Sequence, residues 1–385
     1  MTQAPFSGAH LSSVSPRLLD VFAALLNQAI SCGTRLVGSR SNRAAHEVDS
    51  PVMLPEFAAG ARNAVRACLN VHPGDRVAVI SDEGRADIAG AIIEEAQSAG
   101  GEVVNWAMEH WVRRPAREFP RQLADEITAF RPTVSFFIGG GEPGELAFRR
   151  PMLQLLARDL RCRHGHMIGI DRNLMLDGMA VDYEEVYRVT HRVYEIVRQA
   201  SKIEVATRLG TELTATFSPH YRWIPSDARY WEQGRWGNLP EGEVFTAPLS
   251  VDGLLVGEEL GDHFAQRYGL LEQPVRLHVK GSRVSAVEMD RHPEIQAEIE
   301  AYLAQSPNSD RAGEFAIGTN VGLTSIVGNF LQDEKFPGVH VAFGDPYGQE
   351  TGADWESPSH VDVLASRADV WADGRQIMEN GRFLV

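Results

Sequence analysis

The first half of the chain alternates short apolar strands with amphipathic helical segments. The segments 76–80 (RVAVI) and 102–108 (EVVNWAM) are apolar and rich in β-branched residues. The stretch between them has apolar residues at helical spacing and ends in two glycines. A third strand-like segment, 133–138 (TVSFFI), is followed by a glycine-rich turn. This β-α-β order predicts a mainly parallel sheet with helices on its faces.

The second half has a different pattern, in which strand-like segments follow one another around tight turns. Residues 202–218 predict two strands around Leu209-Gly210, and residues 274–290 predict two more around Lys280-Gly281. One helix is predicted at 292–306, and an "ADG" turn predicts a hairpin near the end. The fold class is therefore predicted as α/β plus α+β, with a mainly parallel N-terminal domain followed by a β-rich, antiparallel C-terminal domain.

Three segments are predicted from these patterns. An amphipathic helix at 16–30 indicates an N-terminal helical extension over residues 1–55. The α/β domain follows over residues 56–198, and it ends with the helix at 184–201. The β-rich domain takes up residues 199–385. A length of 385 residues agrees with two domains and an appendage.

Composition restricts the class of function. The net charge of −15 argues against nonspecific binding to nucleic acid or to an anionic membrane. No apolar run reaches the length of about 20 residues that a membrane span needs, and the N-terminus does not have the pattern of a secretory signal. The three cysteines are far apart and form no CxxC motif, which predicts reduced thiols and a cytoplasmic location.

The most informative short segment is SHVDVL, at 359–364. Residues two apart in a strand point to the same side, so His360 and Asp362 lie next to each other on one face. Two interpretations compete at this point. The pair is either a buried, mutually satisfied polar pair or two ligands of one metal ion.

Further ionisable residues lie in or beside apolar strands of the second half. A buried charge is costly unless it is paired or bound to a metal, so several such strands together favour a metal site. Two histidines and three carboxylates suit Zn²⁺, Mn²⁺, Co²⁺ or Fe²⁺, and they are enough for two ions. The candidates are Glu243, Glu314, His340, Tyr347, His360 and Asp362.

Two other groups have structural interpretations. His164 and His166 flank a glycine, but they lie in the other half with no carboxylate nearby in the sequence, which favours a structural role. Tyr230, Trp231 and Trp236 precede Glu243 and either line a substrate pocket or pack at the domain junction.

The same segments resemble the M29 family of metallo-aminopeptidases, of the aminopeptidase T and S type. The resemblance runs from about residue 60 to the end. Its most specific motifs occur in the family's order; they are NLPEGEVFTAP, GEFAIGTN, DEKFPGVHVAFG and SHVDV. It implies a metal-binding set of Glu, Glu, His, Tyr, His and Asp, which falls on Glu243, Glu314, His340, Tyr347, His360 and Asp362. It also implies a homodimer or higher homo-oligomer, and a small-molecule or short-peptide substrate.

A related branch of this family contains ring-cleaving dioxygenases of dihydroxypyridines. They resemble the chain in fold and hold Fe²⁺ with two histidines and one carboxylate. Glu314 stands where a further histidine ligand is expected, which favours the two-metal hydrolase. His340, His360 and Asp362 nevertheless also suit an iron triad. A binding protein that retains the ion only for structure is a third hypothesis.

For the hydrolase, the predicted mechanism is cleavage of an N-terminal peptide or small amide bond by metal-activated water. Two ions about 3.5–4 Å apart clamp the nucleophile and the substrate oxygen. Zinc, cobalt or manganese is expected. Glu314 is either a bridging ligand or the general base, and Tyr347 is either a ligand or a hydroxyl donor to the oxyanion.

Overall fold

A computed structural model describes residues 54–385 of the chain. The described residues belong to one compact unit. The helix predicted at 16–30, and the predicted extension up to residue 53, lie outside the described residues.

The strands account for most of the predicted apolar segments. They are β1 (Arg76–Ser81), β2 (Glu102–Ala107), β3 (Val134–Gly139), β4 (Arg163–Ile168), β5 (Lys202–Ala206), β6 (Glu212–Thr216), β7 (Ile224–Ser226), β8 (Trp236–Asn238), β9 (Glu243–Thr246), β10 (Ser250–Leu260), β11 (Leu270–Lys280), β12 (Arg283–Glu288), β13 (Ala312–Gly318), β14 (Gly338–Gly344), β15 (His360–Ser366), β16 (Asp369–Ala372), β17 (Arg375–Glu379) and β18 (Arg382–Phe383).

The helices pack around these strands. The α-helices are α1 (Ala58–Arg62), α2 (Ala86–Ser98), α3 (Arg121–Phe130), α4 (Leu146–Leu153), α5 (Arg172–Leu176), α6 (Tyr183–Val197), α7 (Asp262–Tyr268), α8 (Pro293–Leu303), α9 (Phe330–Asp333) and α10 (Gly348–Thr351). Short 3₁₀ turns occupy Pro55–Phe57, Glu83–Arg85 and Met108–His110, and π-helical turns occupy Asn63–Cys68 and Gln154–Asp159. Within residues 54–385, none of the helices is both long and apolar enough to span a bilayer.

The predicted parallel sheet is present in the first half. Its strand order is β2-β1-β3-β4-β8, and every pair in it is parallel. Both faces are covered: Val77 and Val79 of β1 join one apolar core, and Ala78 and Ile80 join another. Because both faces are buried, the strands read as continuous apolar runs rather than alternating ones.

Strand β8 comes from the second half of the chain and completes the edge of the parallel sheet. It pairs with β4, and His164 lies opposite Trp236 in the register. The chain then passes through Glu241 into β9, which belongs to the other sheet. The short connection from β8 to β9 therefore crosses from one sheet to the other beside the predicted ligand Glu243.

The second sheet is large, curled and antiparallel. Its order is β18-β17-β16-β5-β6-β10-β15-β14-β13-β9-β7, and β11 and β12 extend from β10. The hairpins predicted at Leu209-Gly210, Lys280-Gly281 and the "ADG" turn all occur, as β5–β6, β11–β12 and β16–β17. The predicted fold class is thus confirmed.

One face of the larger sheet is apolar and the other carries polar residues. Along β14, Val339, Val341 and Phe343 lie in the main apolar core of this sheet. His340 and Ala342 alternate with them and point to the opposite side. The core therefore fixes which residues face the polar side, since a shift of one residue in register would exchange the two faces.

Candidate metal centre

The register of the antiparallel sheet brings the predicted ligands together. Ala342 lies opposite both Glu314 on β13 and Asp362 on β15, so these two carboxylates share a face. Gly318, four residues beyond Glu314, lies opposite Glu243 on β9. Five of the predicted residues are on this face: Glu243, Glu314, His340, His360 and Asp362.

A first group of residues that could hold an ion, called the first ion-binding group, consists of Glu314, His360 and Asp362. Their ligand atoms all lie within 4.8 Å of one another. Nε2 of His360 is 3.3 Å from Oε2 of Glu314 and 3.3 Å from Oδ1 of Asp362. The other ring nitrogen, Nδ1, is 3.0 Å from the carbonyl oxygen of Asp345. This contact orients the imidazole and leaves Nε2 directed at the two carboxylates, as an outer hydrogen bond does for a metal-bound histidine.

A second ion-binding group consists of Glu334, His340 and Asp362, again with ligand atoms within 4.8 Å of one another. Glu243 lies beside it, with Oε2 at 3.5 Å from Nε2 of His340. Asp362 belongs to both groups. Two groups that share one carboxylate form an arrangement able to hold two neighbouring cations.

Tyr347 lies at the edge of the first group. Its hydroxyl oxygen is 3.4 Å from Nε2 of His360, and its ring packs edge-on against Phe245. The backbone of Tyr347 is left-handed, with φ 49° and ψ 51°. This conformation is uncommon for a residue other than glycine, and such residues cluster at functional sites.

The chemistry of this cluster fits divalent cations. Among the described residues, Oε2 of Glu243 and Nδ1 of His340 are buried polar atoms without a hydrogen-bond partner. Burial lowers the pKa of His340, which favours the neutral imidazole that a metal requires. Burial also raises the pKa of Glu314. Burial opposes a charge on His360, but the neighbouring Tyr347, Asp362 and Glu314 together outweigh it and raise the pKa of His360. Bound cations would compensate this excess of buried carboxylate.

Three charged residues of the site were not predicted from the sequence. Lys335 is 1% exposed, and its Nζ meets carboxylate oxygens of Glu241 at 3.1 Å and of Glu334 at 2.8 Å. The three lie in short polar segments, NLPEGE and DEKF, that resemble solvated turns. Apart from the family motif itself, no periodicity in these segments indicates burial.

A buried carboxyl pair lies on the same side of the sheet, next to the second group. Glu259 lies opposite Leu364, which has His340 on its other side. Its carboxyl oxygens are buried and meet no N–H or O–H donor among the described residues. The neighbouring carboxylate of Asp333 accepts hydrogen bonds from the backbone of Val327 and Gly328. Asp333 is therefore the anion of the pair, and burial raises the pKa of Glu259 to about 10.

Glu259→Gln is expected to stabilise the protein at pH 8 by about 1–3 kcal/mol. Folding at this pH requires Glu259 to take up a proton, because its pKa rises from 4.5 to about 10. The stability that depends on this proton is complete below about pH 4.5 and is lost progressively as the pH rises toward 10. Glutamine needs no such uptake, so its advantage should vanish at pH 4.5. Urea unfolding at several pH values measures the difference.

Glu272→Gln is the matched control, because the Glu272 side chain is 89% exposed. Its effect should stay within about 0.5 kcal/mol at every pH. If the stability of Glu259→Gln followed that of the wild type across this pH range, Glu259 would not be protonated in the folded protein.

His164 and His166 lie apart from the metal centre in a buried hydrogen-bonded chain. Nδ1 of His164 is 2.9 Å from the hydroxyl of Ser135, and its Nε2 is 3.3 Å from Nδ1 of His166. Burial lowers the pKa of His164 to about 3, so both rings are neutral at physiological pH. This geometry agrees with the predicted structural role.

The three aromatic residues before Glu243 lie beside the parallel sheet. Tyr230 is buried in a core of this sheet, and its hydroxyl is 3.1 Å from Oε2 of Glu241. Trp231 donates from Nε1 to the carbonyl oxygen of Ala67 at 2.8 Å, and Trp236 begins β8. Of the two interpretations, these contacts support packing for Tyr230, whereas Trp231 and Trp236 are 44% and 39% exposed.

Comparison with known proteins adds to this geometry. A family model described as thermophilic metalloprotease (M29) matches residues 176–383, more than half of the chain. No curated protein matches. Solved structures that match include wild-type AmpT from Thermus thermophilus, with 18% identity and a TM-score of 0.65 over 86% of this chain and 99% of that one. Another is 2,5-dihydroxypyridine dioxygenase from Pseudomonas putida, with 15% identity and a TM-score of 0.61 over 86% and 97%.

The fold, the clustered ligands and the family match together define a metal-dependent hydrolase that acts on peptides. The chain belongs to the M29 family of metallopeptidases. The identities to the two solved structures are low, so these likenesses establish the fold alone.

Proposed function

We propose that the protein is a two-metal aminopeptidase that removes the N-terminal residue of short peptides. One observation carries the proposal: two ion-binding groups of carboxylate and histidine ligands share Asp362, and Tyr347 lies at their edge. The AmpT structure gives further support through its shared fold.

The residues divide between two ions of zinc, cobalt or manganese. His360 and Asp362 would hold one ion, with Tyr347 beside them and Glu314 as a further ligand or as the general base. His340 and Asp362 would hold the other, with Glu243 adjacent. When bound, such ions supply Lewis-acid polarisation and an activated water at neutral pH.

Glu314 is the proposed general base. It is 4% exposed, and burial raises its pKa toward the range in which a carboxylate accepts a proton efficiently near neutral pH. Its Oε2 lies 3.3 Å from Nε2 of His360, which also suits the alternative role of Glu314 as an ion ligand.

Tyr347 is the proposed donor to the oxyanion of the tetrahedral intermediate. Its hydroxyl is 3.4 Å from His360, and the left-handed backbone fixes the ring over the first group. A hydroxyl preorganised in this way stabilises negative charge that appears only in the transition state.

A divalent ion at the site would favour a substrate with a free amino terminus. An unprotonated α-amine has a lone pair that could bind such an ion, whereas an acylated terminus has lost this donor. This preference would distinguish an aminopeptidase from an endopeptidase.

The test compares leucine p-nitroanilide with its N-acetylated form, after the metal-free protein has been loaded with zinc, cobalt or manganese. We expect the free amine to be hydrolysed at least about tenfold faster, without oxygen, and a chelator to stop the reaction. Hydrolysis of the acetylated substrate at an equal rate, or no hydrolysis of a broad aminoacyl panel, would contradict the proposal.

A second candidate is an Fe(II)-dependent ring-cleaving dioxygenase of a hydroxylated aromatic or N-heterocycle. The fold of the 2,5-dihydroxypyridine dioxygenase, and the presence of His340, His360 and Asp362 on one face, favour it. One iron per chain and oxygen uptake with such a substrate would decide for it.

The proposal extends to location, assembly and domain organisation. Cys68 and Cys162 are buried free thiols, which agrees with a cytoplasmic protein. A homodimer or higher homo-oligomer follows from the family resemblance, and light scattering tests it. The proposed division of the chain after residue 198 coincides with the end of α6 at Val197, and β8 then returns to the parallel sheet.

A further inference from the structure

Lys335 is a buried cation at the point where three carboxylates meet. It lies two residues beyond the end of α9 and precedes β14. Its Nζ lies 2.7 Å from Oε1 of Glu243, 2.8 Å from Oε1 of Glu334 and 3.1 Å from Oε1 of Glu241. An ammonium group has three donors, so each carboxylate receives one hydrogen bond.

Glu243 has a second oxygen available on the side of the metal centre, and Glu334 offers one oxygen to the second ion-binding group. Lys335 binds Oε1 of Glu243, while Oε2 is unpartnered and lies 3.5 Å from Nε2 of His340. Lys335 likewise binds Oε1 of Glu334, and this residue belongs to the second ion-binding group with His340 and Asp362. The ammonium therefore fixes one oxygen of each side chain and limits where the other can point.

The third carboxylate has a different set of partners. Oε1 of Glu241 also accepts from the backbone N–H of Gly242 at 3.0 Å, and Oε2 accepts from the Tyr230 hydroxyl at 3.1 Å. Both of its oxygens are thus occupied. Glu241 anchors Lys335 to the core of the parallel sheet and has no oxygen left for an ion.

We propose that Lys335 is a positioning residue, whose ammonium group directs Glu243 and Glu334 toward the ion that the second group would hold. The inference rests on the proposed two-ion centre. It assigns a role to the lysine that lies among these carboxylates.

Electrostatics and positioning predict opposite effects for the loss of this lysine. A positive charge beside the site repels a metal ion, so its removal would strengthen metal binding if charge were its only contribution. Its removal also frees two carboxylates that must be oriented toward the ion, and loss of such outer contacts weakens metal binding by about 10–100-fold. Weaker metal binding by a variant without this lysine therefore indicates that Lys335 positions the carboxylates.

The experiment titrates the metal-free, full-length protein with Zn²⁺ in a calorimeter. Glu334→Gln retains the acceptor for Lys335 but loses a charged ligand oxygen, and Lys335→Met removes the ammonium. For both variants we expect one of the two ions to bind at least about tenfold more weakly. The other ion should keep its affinity within about threefold.

Glu241→Gln is the matched control. It changes the charge of the same cluster by one unit and keeps an acceptor for Lys335 and Gly242, yet it alters no oxygen that faces the ions. Both ions should bind it within about threefold of the wild type. Thermal unfolding of each metal-free variant separates a loss of folding from a loss of binding.

Several results would overturn the inference. Two ions that bind Glu334→Gln as tightly as the wild type would show that Glu334 is not directed toward an ion, and unchanged or tighter binding by Lys335→Met would exclude positioning. Equal weakening of both ions would indicate general damage. If Lys335→Met does not fold, the double variant Lys335→Met with Glu241→Gln removes one unpaired carboxylate, and the same selective loss is expected. A wild type that takes up a single ion would refute the two-ion centre as well.

Discussion

Asp362→Ala is expected to abolish both metal binding and peptide hydrolysis. Asp362 is the one residue that the two ion-binding groups have in common, so its loss removes a ligand from each. His360→Ala should have a similar effect, because its Nε2 meets both carboxylates of the first group at 3.3 Å. We expect kcat/KM to fall by about a thousandfold or more, which corresponds to about 4 kcal/mol.

Metal content after dialysis and hydrolysis of an aminoacyl nitroanilide measure these effects. Asp125→Ala is a suitable control, since the Asp125 side chain is 73% exposed and pairs only at 3.9 Å with Arg121. The control should match the wild type. If Asp362→Ala or His360→Ala retained full activity and metal, the His-Asp pair would be structural rather than part of a metal centre.

Gly318→Ala is expected to displace the segment that carries Glu334 and Lys335. A Cβ atom on Gly318 would overlap the carbonyl oxygen of Phe336 and come within 2.8 Å of the Lys335 backbone. These are backbone atoms that cannot rotate away, so the segment has to move off the sheet. We expect a loss of about 1–3 kcal/mol in the free energy of unfolding, together with weaker binding of the ion near His340.

Gly84→Ala provides the comparison, because a Cβ there meets only Asp82 at 3.6 Å, an ordinary contact. Chemical denaturation and zinc titration should leave this control close to the wild type. Normal stability and full zinc binding by Gly318→Ala would show that the segment 334–336 does not need its close approach to β13.

The strands that carry the predicted ligands could be read from the sequence because their apolar residues alternate so clearly. In VHVAF and SHVDVL, β-branched and aromatic residues occupy one face, and the polar residues necessarily occupy the other. The core behind the sheet then fixes the register, and this register brings His340, His360 and Asp362 together. Period-two patterns are local information, so sequence reasoning can recover them.

The charged residues behind the candidate ligands could not be predicted from such patterns. Glu334, Lys335 and Glu259 are charged residues that ordinary patterning places at the surface. Their burial results from the way α9 and the residues after it lie across the polar face of the sheet, which is a tertiary effect. The same limit applies to β8, since Trp236–Asn238 is three residues long and too short for any periodicity to be recognised.

The position of β15 in the sheet has a consequence for the timing of activity during synthesis. This strand carries His360 and Asp362, and it lies between β10 and β14, which the ribosome makes earlier. β16, β17 and β18 follow it along the chain. Both candidate groups include Asp362, so neither is complete until β15 has entered this gap, and pairing between strands as distant in sequence as β10 and β15 is slow. A nascent chain in which β15 has not yet been made therefore lacks the proposed centre, and we expect it to have no peptidase activity.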